Sequence, residues 1–95
     1  MVVGVLKVRL GIEGNRSLKG KRRILKQVKE SILARFGATV AEIGDYDLWQ
    51  ASELGLALIG NNESRINASM DRILNHIENM HLAVLLDHEI DFIHM

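Results

Sequence analysis

Seven bases fall between Arg16 and Lys29: Arg16, Lys19, Lys21, Arg22, Arg23, Lys26 and Lys29. Side chains of this kind donate charge-assisted hydrogen bonds to phosphate or carboxylate oxygens. Placed on a helix at about 100° per residue, Lys19, Arg22, Arg23, Lys26 and Lys29 share one side. Lys21 lies closer to the apolar stripe and is expected to snorkel from the first turn. Ser17 precedes the run as an N-cap, so Lys19, Lys21, Arg22 and Arg23 crowd the first two turns. The dipole is positive there, and each exposed base costs roughly a few tenths of a kcal/mol at low salt. A bound phosphate reverses that sign, because free backbone N–H groups and these side chains converge on it. Gly20, a poor helix former, reads as room for a phosphate backbone to approach. The candidate anion site is therefore Arg16, Ser17, Lys19, Lys21, Arg22, Arg23, Lys26 and Lys29. The plainer alternative is a solvated helix surface.

The charge is polarised along the whole chain. Ten of the twelve bases lie in the first 35 residues against Glu13 and Glu30, and the other 60 residues hold Arg65 and Arg72 against ten acids. A band of bases along one helix matches the repeated phosphates of a nucleic acid better than one small ligand. Such contacts set affinity and position rather than sequence preference. A helix can also meet RNA by shape and backbone, as is common for double strands.

Other chemistries find little support. His76, His81, His88 and His94 have spacings that match no compact metal motif. Ser17 has no neighbouring base arranged for a nucleophile pair. Glu42, Asp45 and Asp47 cluster where acids commonly form turns. No phosphate-binding glycine loop is present. These observations imply no catalytic residue, no metal and no cofactor. Trp49 reads as a packing or interface residue.

The elements that must carry the bases follow from periodicity. Val2 to Ile12 alternates as a strand, with Lys7 and Arg9 on the outward face. Leu18, Leu25, Val28, Ile32 and Phe36 form one helical stripe, closed by Gly37. Ala38 to Ile43 is a short strand, and Gly44 to Asp47 is a turn. Leu48 to Ile59 reads as extended, with Leu54, Leu56 and Leu58 inward. A second helix spans about Glu63 to Asn79 with Ile66, Met70, Ile73 and Ile77 buried. Ala83 to Ile93 reads as a strand with Leu86, His88, Ile90 and Phe92 on one face. The order βαββαβ predicts an α+β, ferredoxin-like fold: a four-stranded antiparallel sheet with two helices on one face. Right-handed crossovers place strands one and three at the centre and strand four beside strand one. Lys7 and Arg9 should then meet Asp87, Glu89 and Asp91, with Glu53 on the other flank. The outward face lacks the aromatics of a base-stacking sheet.

Residues 1–95 read as one ferredoxin-like domain. The chain has no cysteine, which suits a reducing cytosol. No apolar run reaches the roughly 18 residues of a membrane helix, so no membrane partner is expected. The N-terminal MVVGVLKVRLGIEG reads as a strand and not as a signal peptide.

The run SLKGKRR (Ser17 to Arg23), followed by Ala41, Glu42, Asp47, Trp49, Gln50, Ala51, Leu54 and Gly55, resembles the YlxP-like proteins, a family of domains of unknown function numbered 503. The likeness covers essentially the full chain. Family members usually carry a charged or polar residue where Gly20 stands. The resemblance implies a ferredoxin-like fold and a small bacterial cytoplasmic protein. It also implies genes that often lie near those for translation initiation and ribosome maturation, such as ribosome-binding factor A. It brings no activity and no catalytic residues.

Three readings follow. The first is a non-enzymatic RNA- or ribosome-associated domain using the first helix. The second is a homo-oligomeric protein-interaction domain, built on the charge polarity or on an exposed strand edge. The third is a small-molecule regulatory ligand domain, supported only by the glycine-containing turn from Gly14 to Ser17.

Overall fold

Val2, Gly4, Leu6, Val8 and Leu10 are buried while the residues between them are not, the pattern of a strand covered on one face (β1, Val2–Gly11). The computed structural model describes all 95 residues, Met1–Met95. After β1 come α1 (Leu18–Phe36), β2 (Val40–Gly44), β3 (Ala51–Gly60), α2 (Glu63–Met80) and β4 (Val84–His94). The strands form one sheet in the order β2-β3-β1-β4, all neighbours antiparallel. This is the ferredoxin-like arrangement, with β1 and β3 central as the crossover rule requires.

Both helices supply their apolar stripes to the same core. Leu25, Val28 and Ile32 of α1 and Ile66, Met70, Ile73 and Ile77 of α2 cluster with Leu6, Val8 and Leu10 of β1 and Leu54 and Leu56 of β3. Gly4 has its place here. A Cβ on Gly4 would overlap the side chains of Ile66 and Met70, so α2 packs directly on the strand backbone.

Helix α1 begins at its cap. Ser17 is extended, and its Oγ accepts from the Gly20 N–H at 2.9 Å. Gly37 ends the helix in the left-handed region at φ 69°, with its N–H bonded to the Leu33 carbonyl.

Two expectations change, one at a boundary and one inside a strand. β3 starts at Ala51 rather than Leu48, because residues 45–50 form a loop held in place by α1, described below. In β4, Arg9 pairs with Asp87 but Leu10 pairs with Leu85, so Leu86 is an extra residue at a bulge. Leu85, not Leu86, therefore packs against the core, and Leu86 is 54% exposed. His88 is exposed as well. A bulge shifts the two-residue period by one, so alternation placed Leu86 on the wrong face.

Candidate nucleic-acid interface

The first two turns of α1 contain no acid. Arg16, Ser17, Lys19, Arg22, Arg23 and Lys26 are exposed and Lys29 is half-buried. Arg16, Lys19, Arg22, Arg23 and Lys29 take part in none of the five ion pairs of the molecule. Lys26 stands 3.9 Å from Glu30, a contact between two well-exposed side chains that water screens. The buried stripe of α1 leaves this band facing outward, as the wheel predicted.

Lys21 does not belong to the band. Its side chain is 1% exposed. The ammonium donates to the carbonyls of Asp45 (2.7 Å), Ala51 (3.1 Å) and Tyr46 (3.2 Å) and lies 3.1 Å from Glu42 Oε2. That oxygen also accepts from Ser52 Oγ at 2.7 Å. A burial this deep is tolerated because every proton of the ammonium meets an acceptor. Lys21 is therefore withdrawn from the anion site and assigned to the joint between α1 and the β2–β3 loop. Glu42 likewise serves this joint and not a carboxylate site. Residue type alone cannot separate the two fates of a helical lysine. The signal was its angular position, 1 turn from Leu25 on the buried stripe.

Gly20 also has a structural cause. A Cβ there would overlap Asn15 Oδ1. Asn15 Nδ2 donates to the Ser17 carbonyl at 2.8 Å and to the Trp49 carbonyl. In return Gln50 Nε2 donates to the Asn15 carbonyl at 3.3 Å. The space kept free by Gly20 is filled by the chain itself, not left for a phosphate backbone. The turn from Gly14 to Ser17 is closed by the same contacts.

These bonds place the 45–50 loop against the start of α1. Tyr46 and Trp49 on it are 58% and 53% exposed, and Leu48 between them is also exposed. Trp49 is thus not a core residue, which leaves the interface half of its expected role. A shallow pocket of about 330 Å³ is lined by Leu48, Trp49, Gln50 and Ala51.

The open sheet face neutralises its own cations. Lys7 Nζ lies 3.7 Å from Glu89, its direct partner across β1 and β4. Arg9 stands opposite Asp87 but pairs with Asp45 of the loop, at 3.5 Å. Asp87 instead accepts from the next backbone N–H, His88, at 2.8 Å. Short acid side chains at a strand surface often satisfy local backbone in this way.

One further pair escaped the sequence because 45 residues separate its members. Ser31 Oγ of α1 and His76 Nε2 of α2 are 2.6 Å apart. Phe36 packs edge-on against the same imidazole, ring centres 5.6 Å apart. A serine and a histidine at this distance are the first two members of a nucleophile triad. His76 makes no second hydrogen bond that would orient it toward a carboxylate. The pair ties two helices together. No three metal-ligating side chains converge elsewhere.

A family model described as protein of unknown function (DUF503) matches residues 3–90. The chain belongs to this family. The uncharacterized protein YlxP of Bacillus subtilis (strain 168) is 31% identical over 62 residues, 65% of this chain and 67% of that protein. Among solved structures, the de novo designed protein Foldit4 is similar with a TM-score of 0.52, 15% identity, and coverage of 99% of this chain and 97% of that one. SnoaB of Streptomyces nogalater, a cofactor-independent oxygenase, gives a TM-score of 0.52 at 9% identity, with coverage of 99% and 92%. Identities this low speak to fold alone. Within the DUF503 match lie Ser17, Lys21, Glu42, Trp49 and Gln50, which in this structure build the α1–loop joint. No helix is long and apolar enough to cross a membrane.

Proposed function

We propose that this DUF503 protein is a small, non-enzymatic cytoplasmic protein that binds RNA, free or within the ribosome, through Arg16, Ser17, Lys19, Arg22, Arg23, Lys26 and Lys29. One observation carries the reading: five of these bases have no ion-pair partner, and two of them, Arg16 and Lys19, flank the start of a helix whose dipole repels them. Stability favours acids at that end, so the basic choice answers to an outside anion. Phosphates in sequence fit a band that runs about 15 Å from Lys19 to Lys29.

The affinity falls steeply with salt, since each neutralised phosphate releases a counterion. The test is fluorescence anisotropy of labelled RNA with the whole chain, beside the variant Lys19→Glu, Arg22→Glu, Arg23→Glu, Lys26→Glu. Binding is lost in the variant while its far-ultraviolet circular dichroism stays unchanged. A folded variant with undiminished RNA affinity sinks the proposal.

Self-association is a second reading, favoured by the apolar half of the open sheet face. Val3, Val5, Ala57, Ile59 and Ile93 are register neighbours there, and Ile59 is 71% exposed. Burial of such a patch is a common basis for an interface. Light scattering over a concentration series at low and high salt decides it: a monomer throughout removes it.

A further inference from the structure

We infer that the nucleic acid held by α1 is single-stranded and that its bases stack on Trp49 and Tyr46 of the 45–50 loop. This rests on the phosphate-binding reading of α1. The chain has four aromatic residues outside histidine. Phe36 and Phe92 pack against the core. The other two, Tyr46 and Trp49, stand more than half exposed on one loop.

That loop is fixed by a dense set of bonds. Lys21 holds the carbonyls of Asp45 and Tyr46, Asn15 holds that of Trp49, and the Leu48 N–H closes on Asp45 at 3.1 Å. The bonds that hold the loop use its main chain and the side chains of Asp45 and Gln50, and none uses the Tyr46 or Trp49 ring, so both rings stand more than half exposed on a rigid base. Asn15 and Lys21 bracket Arg16 to Gly20. The rings therefore stand at the same end of the molecule as Arg16 and Lys19. Aromatic faces next to a cationic track are how non-specific single-strand sites combine stacking with backbone attraction. A duplex keeps its base faces stacked inside and offers none to a ring at its side. Only unpaired bases satisfy both halves of this surface.

Trp49 is the chain's sole tryptophan, so its emission reports the contact directly. The experiment titrates the whole protein with an oligouridine of about 12 nucleotides, within the site sizes usual for such grooves, and with an RNA duplex of the same length. Anisotropy of labelled RNA reports binding, and unlabelled RNA reports quenching. The single strand quenches Trp49 and binds about tenfold tighter than the duplex. Trp49→Ala and Tyr46→Ala each weaken single-strand binding by about 10- to 100-fold, with the salt slope unchanged. Trp49→Phe keeps most of the affinity and controls for folding, since only the Trp49 main chain holds the loop.

Equal binding of both RNAs without quenching, undiminished in Trp49→Ala, overturns the inference and leaves the α1 reading standing. No binding of either RNA overturns the α1 reading as well. A Trp49 blue shift on phosphatidylserine vesicles, with no response to RNA, gives the loop to a membrane surface and also overturns it.

Discussion

Buried Lys21 and half-buried Glu42 form an ion pair, 3.1 Å between Nζ and Oε2, that joins the first helix to the second strand. Removing one partner of such a pair leaves the other uncompensated, typically at a cost of about 3–5 kcal/mol. Lys21→Met should cost toward the lower end of that range, because Glu42 loses its counter-charge and keeps only Ser52, and the carbonyls of Asp45, Tyr46 and Ala51 lose the ammonium donor. Glu42→Gln keeps an oxygen for Lys21 and Ser52 and should cost less, about 1–3 kcal/mol. Urea midpoints at constant slope measure both. A Lys21→Met protein within 1 kcal/mol of the parent would show that the pair contributes little.

Gly20→Ala sets two effects against each other. Helix propensity alone favours alanine by about 0.8–1.0 kcal/mol. The new Cβ displaces Asn15, whose amide bonds to Ser17 and Trp49 are together of comparable or greater value at about 1 kcal/mol each. Gly20→Ala should therefore fail to stabilise the protein. In an Asn15→Ala background the same change should add about 0.8–1.0 kcal/mol. A double-mutant cycle by chemical denaturation measures the difference. Additive effects would mean that Asn15 moves aside freely.

The fold was legible because β1, α1 and α2 repeat their apolar residues without interruption, and both helices carry residues suited to their caps. The bulge at Leu86 was not, since nothing in LLDHEI marks which residue is the extra one. The site was half legible. Angular position separated Lys21 from Lys19, Arg22, Arg23 and Lys26, yet it could not give the carbonyls that receive its ammonium. Those come from residues 45, 46 and 51, brought near only by the hairpin. Whether Trp49 packs inward or faces outward was open for the same reason, because it depends on where β3 starts. Ser31 and His76 meet only once the two helices are packed side by side.

The Ser31–His76 contact is read as a tie between helices and not as a reactive pair. Ser31→Ala should cost about 1 kcal/mol of stability, the value of a typical intramolecular hydrogen bond. A fluorophosphonate probe, which reports activated serine nucleophiles by mass spectrometry, should leave the protein unlabelled. Stoichiometric labelling at Ser31 would return this pair to the catalytic class.

The conflict at the start of α1 gives one substitution opposite effects on stability and on binding. Lys19 stands two residues after the Ser17 cap and pairs with nothing. An acid at this position interacts favourably with the helix dipole and a base does not, a difference of roughly 0.3–1 kcal/mol at low ionic strength. Lys19→Glu should therefore raise Tm by about 2–6 °C for a domain of this size. The same substitution should weaken RNA binding and make the salt dependence shallower, because a phosphate contact is lost and a repulsion is added. Differential scanning fluorimetry and anisotropy on one preparation read both effects. If Lys19→Glu lowers Tm, the dipole argument fails at this position. If Tm rises and RNA affinity does not change, Lys19 is a surface charge and the anion site begins further along the helix.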